Sequence, residues 1–118
     1  MKLSNRQIID CVVGLNHLGQ KEYPLETAFK IENLRKSLEP FATSAQKMID
    51  EIKKKYAIKT EGNKITFNPE QIEEINEQIN FIADGTKDFD DNLKIPIGSL
   101  NNKEIAPNII RLLWEVLE

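Results

Sequence analysis

Cysteine, histidine and tryptophan each occur once in the 118-residue sequence, glycine and proline five times each, and no apolar run approaches the ~20 residues that cross a bilayer. Each scarcity removes a class of protein. The single Cys11 excludes an internal disulfide framework and a paired-cysteine metal site. It lies among apolar residues of a predicted helix, with no His or Lys at neighbouring helical spacing to lower its pKa. It therefore reads as a buried, reduced thiol of an intracellular protein. The single His17 cannot form the Glu-x-x-His pairs of a di-metal bundle, although Glu70, Glu73, Glu74 and Glu77 supply carboxylates on one helix. Beside apolar positions and without a nucleophile, it is expected to be a partly buried, hydrogen-bonded imidazole. There is no glycine-rich phosphate loop and no nucleophile elbow. Hydrolase, transferase and oxidoreductase readings are therefore disfavoured, and no catalytic residue, metal or cofactor is expected.

Charge of one sign is lacking too. Sixteen basic and nineteen acidic residues are interspersed for a net charge of −3, which leaves no broad footprint for a nucleic-acid backbone. The opening Met-Lys-Leu-Ser-Asn-Arg leads into a charge-punctuated helix rather than a signal peptide, so a cytoplasmic protein is expected. The one basic run, Lys53-Lys54-Lys55, falls at a predicted helix end, where cations complement the macrodipole. With Tyr56 it is the only local cluster offering basic and aromatic groups together. Lys53, Lys54, Lys55 and Tyr56 are thus the candidate binding residues for a small anionic ligand. Asp84, Thr86, Asp88 and Asp90 imitate the first half of a calcium loop, but Phe89 stands where the sharp-turn glycine belongs and Ile95 where the bidentate glutamate belongs. A solvated acidic loop is the expectation. Trp114 and Tyr56 could anchor an interface, but core packing is expected for both.

What is abundant is helical periodicity. A heptad-spaced ladder runs through Ile31, Leu34, Leu38, Phe41, Ala45, Met48 and Ile52, echoed by Ile72, Ile75, Ile79 and Ile82. Such spacing predicts two helices packed side by side. The first helix begins with a capping box, Ser4 with Gln7, inside a staple of Leu3 and Ile8. Its apolar face is Ile8, Ile9, Val12, Val13, Leu15 and Leu18, and Gly19 supplies a left-handed terminator. Gly14 marks either a close helix approach or simple tolerance, and tolerance is favoured. Pro24 fits the first turn of the second helix, whose buried side begins with Leu25, Ala28 and Phe29 and which runs to about Tyr56. Pairs four apart, Glu32 with Lys36, Asp50 with Lys54 and Glu51 with Lys55, support its outer face. Pro40 interrupts it, yet the ladder passes unshifted, which predicts a kinked, continuous helix or two helices end to end. A real turn is the alternative.

From Ile58 to Phe67 the period changes to two around Glu61-Gly62-Asn63, a hairpin whose Ile65 and Phe67 side should lie on the helices. Asn68-Pro69-Glu70-Gln71 caps a third helix ending near Ala83. Leu93 to Ile97 alternates weakly around Pro96, a possible edge strand. The last helix starts at Pro107 and is apolar almost all round through Ile109, Ile110, Leu112, Leu113, Trp114, Val116 and Leu117. It is either buried among the others or completed by a second subunit. The fold class is mainly α with minor β: one small helical bundle, residues 1–118, with a long kinked second helix and one short hairpin.

Several stretches, in this order, resemble a family of small proteins of unknown function encoded by bacteriophages and prophages. They are Met1 to Ile8, Lys21-Glu22-Tyr23-Pro24-Leu25, Leu38-Glu39-Pro40, Lys54-Lys55-Tyr56, the helix Gln71 to Ile82, and Ile105-Ala106-Pro107 with Leu112 to Glu118. Ala106 departs from the serine cap frequent at that place. The resemblance implies a non-catalytic interaction or binding protein, an accessory factor that counters a host defence by covering a defence protein or by sequestering a small signalling molecule. The alternative is a morphogenesis factor, either an assembly chaperone or a minor virion component. A small hydrolase acting on a nucleotide is a remote third. Surplus apolar surface favours a homo-oligomer, with a dimer first. The expected partners are a host or phage protein or a small anionic ligand, with no membrane and no nucleic acid.

Overall fold

The computed structural model describes residues 1–62, 64–100 and 104–118, and its secondary structure is mainly helical. A short strand β1 (Lys2–Ser4) leads into α1 (Asn5–Leu18), and after residues 19–24 comes α2 (Leu25–Tyr56), the spine of the molecule. The hairpin β2 (Ala57–Glu61) and β3 (Lys64–Phe67) follows, then α3 (Ile72–Ala83), β4 (Thr86–Asp88) and the short α4 (Pro107–Leu112). The molecule is elongated, 51 × 29 × 21 Å. No helix among the described residues is long and apolar enough to cross a membrane.

The start of α1 is fixed locally. Ser4 Oγ accepts the Gln7 backbone N–H at 3.1 Å while Gln7 Oε1 accepts that of Ser4 at 2.8 Å, and Leu3 and Ile8 are both fully buried. Its buried stripe is Ile8, Cys11, Leu15 and Leu18, narrower than the expected face, since Val13 is 43% exposed. Gly19 ends α1 in right-handed geometry (φ −62°), not in the left-handed form expected. Gly14 reverses the favoured reading. A Cβ there would stand 2.7 Å from Leu113 Cγ and 3.3 Å from Leu112 Cβ, so the last helix packs against the bare backbone.

Pro24 caps α2 from outside, and the helix then runs unbroken through Pro40. Pro40 and Lys36, whose carbonyl loses its donor, are both exposed, so the gap in the hydrogen-bond ladder falls on the solvent side. The ladder, however, does not stay buried. Thr27, Ile31, Leu34, Leu38, Ala42, Ala45 and Ile49 line the core, whereas Phe41 and Met48 are exposed. An α-helix repeats every 3.6 residues, so a strict heptad set drifts off any straight seam, and beyond Pro40 neighbouring positions take its place. Leu25 and Phe29 also point outward, leaving Thr27 as the buried residue of the first turn. Glu32 pairs with Arg35 rather than Lys36, and Arg35 also reaches Glu39.

Antiparallel β2 and β3 form the expected hairpin, turned at Gly62 (φ 58°), and Asn63 lies outside the described residues. Of the apolar side expected to lie on the helices, Phe67 is half-buried but Ile65 remains exposed, as does Ile58 in the facing strand. Asn68 caps a 3-10 turn over Pro69–Gln71 that leads into α3, accepting the Glu70 N–H at 3.1 Å; Gln71 makes no capping bond of its own. Of the isoleucine ladder only Ile75 is fully buried and Ile72 is exposed. The expected acidic loop contains β4, antiparallel to β1, a pairing across some eighty residues of chain. Asp84 approaches Arg6 at 3.8 Å and Asp90 caps a short turn. The expected edge strand is a single parallel bridge, Ile95 to Leu117, held by the Ile95 N–H on Val116 at 2.8 Å. The last helix breaks after Leu112 into a 3-10 turn, which buries Leu113 and Val116 and leaves Trp114 66% exposed, contrary to core packing.

Candidate functional site

Between α1 and the second half of α2 lies a groove of about 700 Å³. Its floor is apolar: Ile9, Val12 and Val13 from α1 and Ala42 from α2. Those α1 side chains are the ones that fall outside the narrow stripe facing the core.

The α2 rim carries Lys47, Asp50, Glu51 and Lys54, two cations and two anions within two helical turns. Gln46 Nε2 donates to Asp50 Oδ1 at 3.0 Å and orients that carboxylate. An apolar floor within a rim of balanced charge matches the composition of protein interfaces, where the buried centre is depleted of charge and the edge is polar. A small anion would be held instead by converging donors of one sign.

Of the four residues singled out from sequence, Lys55 and Tyr56 stay together and the others separate. Lys54 lines the groove, Lys53 is half-buried and Lys55 stands 5.3 Å from the centroid of the Tyr56 ring. Tyr56 faces α3: its hydroxyl donates to Glu74 Oε1 at 3.0 Å and accepts from Gln78 Nε2 at 2.7 Å. It fastens the end of α2 to α3 and does not join Lys54 in one cavity. His17 is exposed, not partly buried, and lines a separate hollow with Lys21 and Ile109.

Cys11 lies on the core side of α1, away from the groove lining. It is buried, and its thiol reaches toward the Leu112 carbonyl at 3.5 Å. Burial, reinforced by Asp10 and Glu115, pushes its pKa up to about 12. At neutral pH the thiol is protonated and poorly nucleophilic. Among the described residues no three of His, Cys, Asp and Glu gather to hold a metal ion.

Sequence reasoning missed Ile9, Val12, Val13, Ala42 and Lys47 as a site. Two signals carried it: α1 has more apolar residues than one stripe can bury, and two anions at 50 and 51 stand between cations at 47 and 54 on one helix face. Compared with known proteins, the chain matches no family model, no curated protein and no solved structure.

Proposed function

We propose that this is a non-catalytic binding module, a phage or prophage accessory factor that counters a host defence by covering a defence protein with the α1/α2 groove. The observation that carries the reading is the open apolar floor of Ile9, Val12, Val13 and Ala42 inside a charge-balanced rim. It suits apolar side chains presented by a polypeptide, with Lys47, Asp50, Glu51 and Lys54 fixing orientation through complementary charges. The phage attribution rests on the sequence resemblance. Sequestration of a small anionic signal has less support, since the basic residues proposed for it diverge.

A second reading, a morphogenesis factor that chaperones or joins a virion component, is favoured by the number of large apolar side chains left open, among them Leu25, Phe29, Phe81 and Trp114. Affinity capture from infected or lysogenic cells, with the wild type beside Val13→Asp, tests the proposal. Val13 is already 43% exposed, so the variant folds. The expected result is one protein captured at fixed stoichiometry by the wild type and lost from the variant. Equal capture by both would overturn the assignment of the groove, and the captured protein's identity separates a defence target from a virion component.

A further inference from the structure

Charge is arranged along one wall of the α1/α2 groove only. The α2 wall carries Lys47, Asp50, Glu51 and Lys54, at positions i, i+3, i+4 and i+7, whereas the α1 wall contributes Ile9, Val12 and Val13 and no charge. All four charged side chains are exposed, and those of Lys47, Glu51 and Lys54 have no ionic or hydrogen-bonding partner among the described residues. Earlier on the same helix Glu32, Arg35 and Glu39, at comparable spacing, are already joined to one another. The groove therefore presents a row of open charges, positive, negative, negative, positive, beside an apolar floor.

Three features of this row select the occupant. An extended segment would lay its backbone N–H and C=O groups on Ile9, Val12, Val13 and Ala42, apolar side chains that cannot pair with them, while a helix satisfies those groups internally. The row also advances by the helical rise of about 1.5 Å per residue, so its charges stay level with positions i, i+3, i+4 and i+7 of a helix lying alongside. A strand, at about 3.3 Å per residue, falls out of step. A second copy of α2 is the wrong partner, because alignment in register in either direction sets Lys47 against Lys47 or Lys54, and Asp50 against Asp50 or Glu51. We propose that the groove takes one amphipathic helix of a different polypeptide, whose apolar face covers Val12, Val13 and Ala42 and whose flank reads acidic, basic, basic, acidic at i, i+3, i+4 and i+7. The inference rests on the binding reading above and adds the partner's chemistry. Because the row is symmetric about its midpoint, it fixes the partner's axial position and not its direction.

Selection of displayed peptides on the full chain tests this. The library is helical, its inward positions vary among apolar residues, and four flank positions at i, i+3, i+4 and i+7 vary between Glu and Lys. The expected result is enrichment of Glu-x-x-Lys-Lys-x-x-Glu over its inverse, Lys-x-x-Glu-Glu-x-x-Lys, by about tenfold or more, since the inverse exchanges four exposed ion pairs for four like-charge contacts. The combined variant Lys47→Glu, Asp50→Lys, Glu51→Lys and Lys54→Glu, changed at exposed positions only, enriches the inverse instead. No enriched peptide, or a flank preference that does not invert with the variant, overturns the inference. In the capture experiment the two readings part. A partner lost from Val13→Asp yet retained by the charge-inverted variant overturns the helix register and keeps the groove, whereas equal capture by Val13→Asp overturns both.

Discussion

Gly14→Ala sets two effects of known sign against each other. In an open helix the change stabilises by about 1 kcal/mol, since alanine loses less conformational entropy than glycine on folding. Here the new methyl would lie 2.7 Å from Leu113 Cγ, 2.9 Å from its Cδ2 and 3.3 Å from Leu112 Cβ. Carbon atoms settle at about 3.5–4.0 Å, so the last helix must retreat by the better part of an ångström. Leu113 cannot swing into solvent, being 1% exposed. Overpacking of this kind costs about 1–3 kcal/mol, which leaves a net loss of about 1 kcal/mol and a fall in Tm of a few degrees. The decisive comparison is the cycle with Leu113→Ala. That variant alone loses about 2–5 kcal/mol through the cavity it opens, but it removes both of the closest atoms. Adding Gly14→Ala to it then becomes stabilising by about 1 kcal/mol, a coupling of about 2 kcal/mol. Urea unfolding followed by circular dichroism, with m-values compared across the four proteins, measures it. Stabilisation by Gly14→Ala in the otherwise wild-type chain would refute the close approach.

Other outcomes follow from equally local physics. Ser4→Ala removes the acceptor of the Gln7 N–H and half of the capping box, a loss of about 1 kcal/mol in the same unfolding assay. Cys11 gives alkaline instability: an unfolded thiol ionises around its ordinary value of 9.0 while the folded one holds its proton to about 12, so stability falls as pH rises between those values. Cys11→Ala flattens that slope, and native Cys11 resists a thiol reagent at neutral pH until denaturant exposes it.

The elements legible in the sequence are those whose causes lie within a few residues. Ser4 and Gln7 meet across three positions, Gly62 turns a hairpin of adjacent strands, and Asn68 caps the chain segment that follows it. The misread features depend on distant partners. Strand β4 exists because it pairs with β1 across some eighty residues, which no local pattern announces. Gly14 was ambiguous because the side chains that crowd it, Leu112 and Leu113, arrive from the far end of the chain. The ladder of α2 was right to Leu38 and again at Ala45, but Phe41 and Met48 gave way to Ala42 and Ile49, because 3.5 and 3.6 residues per repeat part company over several turns. The same drift exposes Met48 and gives Ala42 to the floor of the groove. Trp114 was assigned to the core by residue type, but the helix ends at Leu112 and the 3-10 turn that follows buries Leu113 and Val116 instead. Lys53 to Tyr56 are neighbours in sequence, yet helical rotation of about 100° per residue sends Lys54 to the groove and Tyr56 to α3, with only Lys55 staying beside the ring.

The central claim is that the α1/α2 groove takes a protein and not a small anion, and a native mass spectrum of the chain purified gently from phage-infected or lysogenic cells tests it most directly. The predicted result is a complex heavier than the chain alone by the mass of one defined protein, absent when Val13→Asp is purified the same way. A homo-oligomer that sheds a nucleotide-sized ligand on activation, with no second polypeptide, would contradict it.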